Sequence, residues 1–258
     1  MIPAVLTIAA SDPSGGAGIE ADLKVFARHG VFGMSAITAL TVQNAAGLQE
    51  VHPTPVEVFR KILAALAEDL PIQAIKIGAL PNVEVVEAVA EFLAERQDVP
   101  VVLDPVLAAS RGGKLADAGV AERMISRLYP FLTVLTPNFN EIMILESLEK
   151  VGGRSRGRKP GDQANCAVLI KGGHWGRDPE DILFIGDTQG RRDIKSWKQP
   201  RLEGEFHGLG CALSSAIACH LALGCELVEA VEKARAYVYE QMKKAIVTPS
   251  GIKVLPHI

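Results

Sequence analysis

Four stretches of the chain are apolar on both faces and stop abruptly: AVLTIAA at 4–10, PVVL at 100–103, LTVL at 132–135 and AVLI at 167–170, which runs on to Lys171. Each is short for a buried helix, and none alternates as a half-solvated strand would. Segments of helical periodicity lie among them at 17–29, 55–69, 83–97 and 116–128, and further strands read at 35–42 and 72–77. Strands apolar on both sides and joined by helices imply a mostly parallel sheet covered on both faces. The fold class is therefore α/β. The last third departs from that alternation, since 182–185 and 193–197 flank GDTQGRR as the arms of an antiparallel hairpin. Two helices close the chain, one opening near Gly208 and Gly210, the other spanning 227–244. With no internal repeat and no linker, 1–258 reads as one domain.

Charge and cysteine usage exclude several functions. A net charge of −3 provides no field for nucleic acid or an anionic membrane. Cys166, Cys211, Cys219 and Cys225 show no C-x-x-C spacing, so neither a zinc site nor a disulfide framework is indicated. The apolar N-terminal run lacks a basic flank and reads as a first strand, not a signal peptide. No apolar run reaches membrane-spanning length. The expected compartment is the reducing cytoplasm.

Two glycine clusters stand out. GAGIEA (16–21) fits the dinucleotide pattern G-x-G-x-x-G/A, but SDPSG intervenes before it, too long for the tight turn that pattern needs. The next strand ends ALTVQN, without the acid that would hold a ribose. What remains is a glycine loop at a helix start, which fits a ligand approach and a simple turn equally. The second cluster is HGLGCALSSAIA (207–218), where Gly208 and Gly210 precede a small-residue helix. Backbone N–H groups and the positive helix end favour an anion there. Cys211 at that start is either a small buried residue or a thiol whose pKa the helix lowers.

Polar residues gather at expected strand ends. Asp104 follows VPVVL, and Asn138 and Glu141 follow LTVLTP. Each fits a helix N-cap or, in a doubly wound sheet, a magnesium or ligand contact. Lys171, before Gly172 and Gly173, fits a phosphate contact or a surface lysine. His29, His52, His174 and His220 lack ligand spacing and read as structural. The basic, glycine-rich segment 150–164 reads as a solvated loop, with a flap over phosphates as the alternative. Together these features suggest phosphoryl transfer, which needs positioning and charge neutralisation.

The stretches LTIAASDPSGGAGIEADLKVF, SAITALTVQN, AIKIGAL with VVLDPV, and LTPNFNEI with VLIKGGH and HGLGCALSSAIA occur in family order. The chain resembles the hydroxymethylpyrimidine and phosphomethylpyrimidine kinases of thiamine synthesis, in the ribokinase-like superfamily. The resemblance implies a three-layer α/β/α fold, with ATP over the late strands and an aminopyrimidine alcohol or its phosphate over the early ones. Gln43 would pair with the aminopyrimidine, since an amide both donates and accepts. Asp22, Ala17 and Val106 would complete the acceptor site. Gly208, Gly210 and Cys211 would form the anion hole, Cys211 standing where most ribokinase relatives carry Asp. Glu141 would organise Mg2+ through water with help from Asp104, while Lys171 and Asn138 would face the nucleotide. A homodimer is implied as well.

Ala10, Glu20, Ala79 and Leu209 stand where the family usually shows Gly, Gln, Met and Thr, and Ser110-Arg111-Gly112 replaces Lys-Ser-Gly. The small Ala79 keeps a pyridoxal kinase of the same branch as an alternative, and Leu209 and Ser110 keep a catalytically impaired binding protein as another.

Overall fold

The computed structural model describes residues 2–44, 46–109, 112–151, 166–173, 178–186 and 192–258. The chain opens with β1 (Ala4–Ser11), α1 (Gly18–Arg28) and the hairpin β2 (Phe32–Asn44) and β3 (Gly47–Pro53). Next come α2 (Val56–Asp69), β4 (Ile72–Ile77), α3 (Val83–Ala94), β5 (Val101–Leu103) and α4 (Val120–Arg127). β6 (Val134–Leu135), α5 (Phe139–Val151) and β7 (Ala167–Ile170) follow. The last third holds the hairpin β8 (Glu180–Gly186) and β9 (Arg192–Lys198), then β10 (Phe206–His207), α6 (Leu209–Ala222), α7 (Leu227–Lys243), β11 (Ile246–Val247) and β12 (Lys253–Val254).

One nine-stranded sheet runs β3-β2-β1-β4-β5-β6-β7-β8-β9. Its six central strands are parallel, and β3, β8 and β9 are the antiparallel additions at its edges. The expected α/β/α layering follows from alternation along each strand. Leu6, Ile75, Leu103 and Leu135 point to one layer, where they meet Phe59 of α2, Val89 of α3, Met124 of α4 and Ile142 of α5. Their neighbours Val5, Ala74, Val102 and Val134 point to the other layer, against Phe26 of α1, Ala216 of α6 and Val231 of α7. Each large, fully buried side chain contributes roughly 1.5–3 kcal/mol.

Several boundaries differ from the sequence reading. The helix expected at 116–128 begins only at Val120, because Gly119 takes a left-handed φ of 84° at the cap. β3, α5 and the small β10-β12-β11 sheet were not anticipated. Residues 150 and 151 of the expected basic loop belong to α5, and the rest of that loop lies outside the described residues, as do His174, Ser110 and Arg111. Among the described residues no helix is long and apolar enough to cross a membrane. The chain leaves β1 for β2 on one side and returns to β4 on the other, so a crevice opens where the strand order reverses.

Candidate active site

Over the carboxyl ends of the central strands lies a cavity of about 930 Å³, bordered by Ala17, Gln43, Asp104, Val106, Asn138, Glu141, Lys171, Gly208, Gly210 and Cys211. The sheet thus brings together ten residues that the sequence reading had marked one by one. Asp22 is the exception.

One end of the cavity is built for negative charge. Gly208 caps α6 with a φ of 84°, and a Cβ there would lie 1.7 Å from the Gly16 carbonyl oxygen, so glycine is required. No side chain caps this helix and its first turn holds no acid, so its opening N–H groups lack intramolecular neutralisation. At Gly210 an added Cβ would sit 2.8 Å from Asp104 Oδ2 and 3.1 Å from Lys171 Nζ. The bare backbone therefore lies directly against an ion pair, Lys171 Nζ being 2.6 Å from Asp104 Oδ1 and 3.8 Å from Glu141 Oε2.

The strand ends set that geometry. Asn138 and Lys171 form an isolated parallel bridge just past β6 and β7. Asn138 Oδ1 accepts the Glu141 N–H at 2.9 Å, and Glu141 Oε2 accepts the Asn138 N–H at 2.7 Å. This reciprocal cap starts α5 and delivers the Glu141 carboxylate to the cavity, so the capping reading holds and does not compete with a place at the cavity. Burial pushes the Glu141 carboxyl up to about 7, against the pull of Lys171 and with a further push from Asp104. Burial alone would lower the Lys171 ammonium, but Asp104 and Glu141 hold it raised.

Among the described residues no group of three or more His, Cys, Asp or Glu side chains could cage a metal. Two carboxylates beside an anion-binding helix end do fit a hard cation that takes most of its ligands from water and phosphate. Burial first, and Asp104 after it, disfavours the charged Glu141 carboxylate, a cost that such a cation would offset.

The other end is neutral. Ala10, Ala39, Ala79 and Leu115 form a small apolar cluster, with Leu48, Val51 and Val106 packed on it. Gln43 stands at its rim, where the β2–β3 ladder shifts register between Val42 and Gln43, a bulge that re-aims a side chain.

Asp22 requires a correction. It is fully buried on α1 and does not border the cavity; its carboxylate accepts from Thr7 Oγ1 at 2.6 Å, Ser215 Oγ at 2.7 Å and Lys76 Nζ at 2.7 Å. The residue that reaches the cavity is its partner, Lys76 on β4. Burial alone would lower that ammonium, but Asp22, with Asp104 behind it, keeps it raised. Removing one member of such a buried pair costs about 3–5 kcal/mol. At Cys211 the structure favours the first of the two readings, a small buried residue: burial pushes its thiol up to about 11, despite the nearby Lys76. The helix end does not produce a thiolate.

The family model for phosphomethylpyrimidine kinase matches residues 12–255. The chain belongs to the phosphomethylpyrimidine kinase family. It is 39% identical to a hydroxymethylpyrimidine/phosphomethylpyrimidine kinase of Streptomyces coelicolor, over 99% of this chain and 94% of that one. The crystal structure of phosphomethylpyrimidine kinase from Clostridium difficile superposes with a TM-score of 0.74 at 35% identity, covering 92% of this chain and 98% of that one. The pyridoxal kinase of Staphylococcus aureus, solved with AMP-PCP and pyridoxal, gives a TM-score of 0.83 at 30% identity, covering 100% of this chain and 94% of that one.

Two side chains at this family member's cavity, Lys76 and His207, escaped the sequence reading, as did Asp12, which lies beneath the opening turn and bonds His207. Lys76 had a usable signal, a lone lysine inside the apolar strand IQAIKI. Of the histidines assigned structural roles, the three among the described residues do not border the cavity. His29 and His220 pack edge-on with ring centroids 5.0 Å apart, and His52 pairs with Glu50 on the surface.

Proposed function

We propose that the protein is an ATP-dependent kinase that phosphorylates 4-amino-5-hydroxymethyl-2-methylpyrimidine, its monophosphate, or both. One observation carries the reading: a single cavity joins an apolar patch of Ala10, Ala79, Leu115 and Val106, with the Gln43 amide beside it, to a charged cluster of Lys171, Asp104 and Glu141 at the start of α6. Family membership supports the same chemistry.

Gln43 would pair with the ring amino group and its neighbouring nitrogen, while Ala10, Ala79 and Val106 cover the ring. The hydroxymethyl oxygen then points toward 208–211, where the N–H groups of α6 would receive the oxygens of the transferring phosphoryl. Lys171 would hold the nucleotide phosphates, with Asn138 fixing its strand end. When bound, magnesium supplies charge neutralisation at the phosphate oxygens, and Glu141 and Asp104 would hold it through water. Cys211, uncharged at neutral pH, suits lining the hole better than removing a proton. A loose phosphoryl-transfer transition state asks little of a base. The resemblance also carries a homodimer in the cytoplasm, with 1–258 as one kinase domain.

A second reading, a pyridoxal kinase, is favoured by the TM-score of 0.83 and by the space beside Ala79. ATP-dependent turnover of the pyrimidine alcohol, its monophosphate and pyridoxal, measured side by side, decides between them. The pyrimidines should be preferred. A strong preference for pyridoxal overturns the acceptor, and tight pyrimidine binding without ATP turnover overturns the kinase.

A further inference from the structure

The two glycine turns touch, and the side chains that join them have no role in the scheme above. The Asp12 carboxylate, buried beneath the first turn, accepts the Ser14 N–H at 2.9 Å and the Ala17 N–H at 3.0 Å. His207 Nε2 lies 2.7 Å from Asp12 Oδ2. Burial opposes the charge on Asp12, but the hydrogen bonds from His207 and Ser14 outweigh it and hold the carboxyl below its ordinary value. Asp12 is therefore the acceptor and His207 Nε2–H the donor of a charge-assisted bond.

His207 ends β10 and immediately precedes Gly208, the cap of α6. Its ring lies so close to Gly16 that a Cβ there would meet His207 Cδ2 at 2.5 Å. Beside it the Gly16 carbonyl abuts Gly208, and Gly18 and Cys211 border the same cavity. Residues 207 and 208 thus fasten onto 12 and 16. The second fastening is backbone against backbone; only the first is a side-chain bond that can be removed without rebuilding the turns.

We infer that His207 is a positioning residue: its bond to Asp12 fixes the acceptor-side turn against the anion-binding turn and so sets the distance between acceptor hydroxyl and phosphoryl group. The catalytic part of this inference rests on the function proposed above; the fastening itself does not. A displacement of about 1 Å between reacting groups costs on the order of 100-fold in rate.

The test compares His207→Leu with His207→Gln, whose amide nitrogen stands roughly where imidazole Nε2 did and can still donate to Asp12. Two readouts are taken: steady-state kinetics with ATP and the pyrimidine alcohol, and the iodoacetamide alkylation rate of Cys211, followed by peptide mass mapping. His207→Leu should lower kcat about 10- to 100-fold while changing the KM for ATP by less than about twofold. It should also speed alkylation as the first turn lifts from Gly208 and opens the start of α6, where Cys211 sits. His207→Gln should recover most of kcat and the slow alkylation. Equal kcat in the two variants, or wild-type alkylation in His207→Leu, overturns the inference. If no acceptor is turned over even by the wild type, the proposed function fails, and the alkylation arm still decides the fastening. Should His207→Leu not fold, His207→Asn replaces it: its shorter amide cannot reach Asp12, and parity with His207→Gln overturns the inference.

Discussion

The two glycine turns, SGGAG at 14–18 and GLG at 208–210, look alike in sequence and differ in what surrounds their N–H groups. At the first, Asp12 takes the N–H groups of Ser14 and Ala17, Glu20 takes that of Asp12, and Glu20 places a negative charge in the first turn of α1. That helix end is already neutralised from within and would repel a phosphate. At the second, α6 has neither a side-chain cap nor an acid in its first turn, and the Lys171 ammonium stands beside it. Glycine alone does not make an anion site. Helix-end N–H groups left without a resident carboxylate acceptor do, which supports the phosphate role proposed for the later turn and the acceptor role proposed for the earlier one.

The largest test of that contrast is Gly208→Ala. It forces a left-handed φ on alanine and drives a methyl group into the Gly16 carbonyl. The expected loss in kcat is about a thousandfold, with a lowered Tm. A loss below about tenfold would mean that the α6 end is not the charge-stabilising element. A middle-sized effect concerns pH. Glu141 ionises only as pH rises through about 7, so below that value its neutral carboxyl holds a cation poorly. The Mg2+ concentration for half-maximal rate should fall about tenfold per pH unit on approaching neutrality and then level off. Glu141→Gln should flatten this dependence, and an unchanged slope in that variant would place the titrating group elsewhere. The smallest effect is expected from Cys211→Ala. A neutral thiol that only lines the hole predicts a drop of a few-fold, whereas a loss of about 100-fold or more would restore it as a general base.

The sheet was legible because its central strands are buried on both sides and therefore apolar throughout. β3 escaped because an edge strand such as GLQEVHP, largely exposed, has no apolar pattern to betray it. α5 escaped because its apolar residues, Phe139, Ile142, Met143, Ile144 and Leu145, spread around the helix; Met143 and Ile144 are solvent-exposed. The site was legible where one residue meets backbone, as at Gly208, Gly210 and Lys171. It was misread at Asp22 and left open at Cys211, where the answer depended on partners distant in sequence. Nothing adjacent to Asp22 shows that Lys76 and Ser215 will enclose it, and nothing adjacent to Cys211 shows that burial will outweigh its helix end.

Asp12 and His207 are separated by 195 positions, and Asp22 and Ser215 by 193. During synthesis, a growing polypeptide that has released only β1 and α1 holds an acidic turn with nothing to close it. β4 then adds Lys76, while Ser215 has yet to arrive. No fragment ending before α6 can act as a partial kinase. The cell therefore gains the activity only after residues past 215 emerge, and until then the apolar sheet face that α6 will cover stays exposed, which favours capture by chaperones.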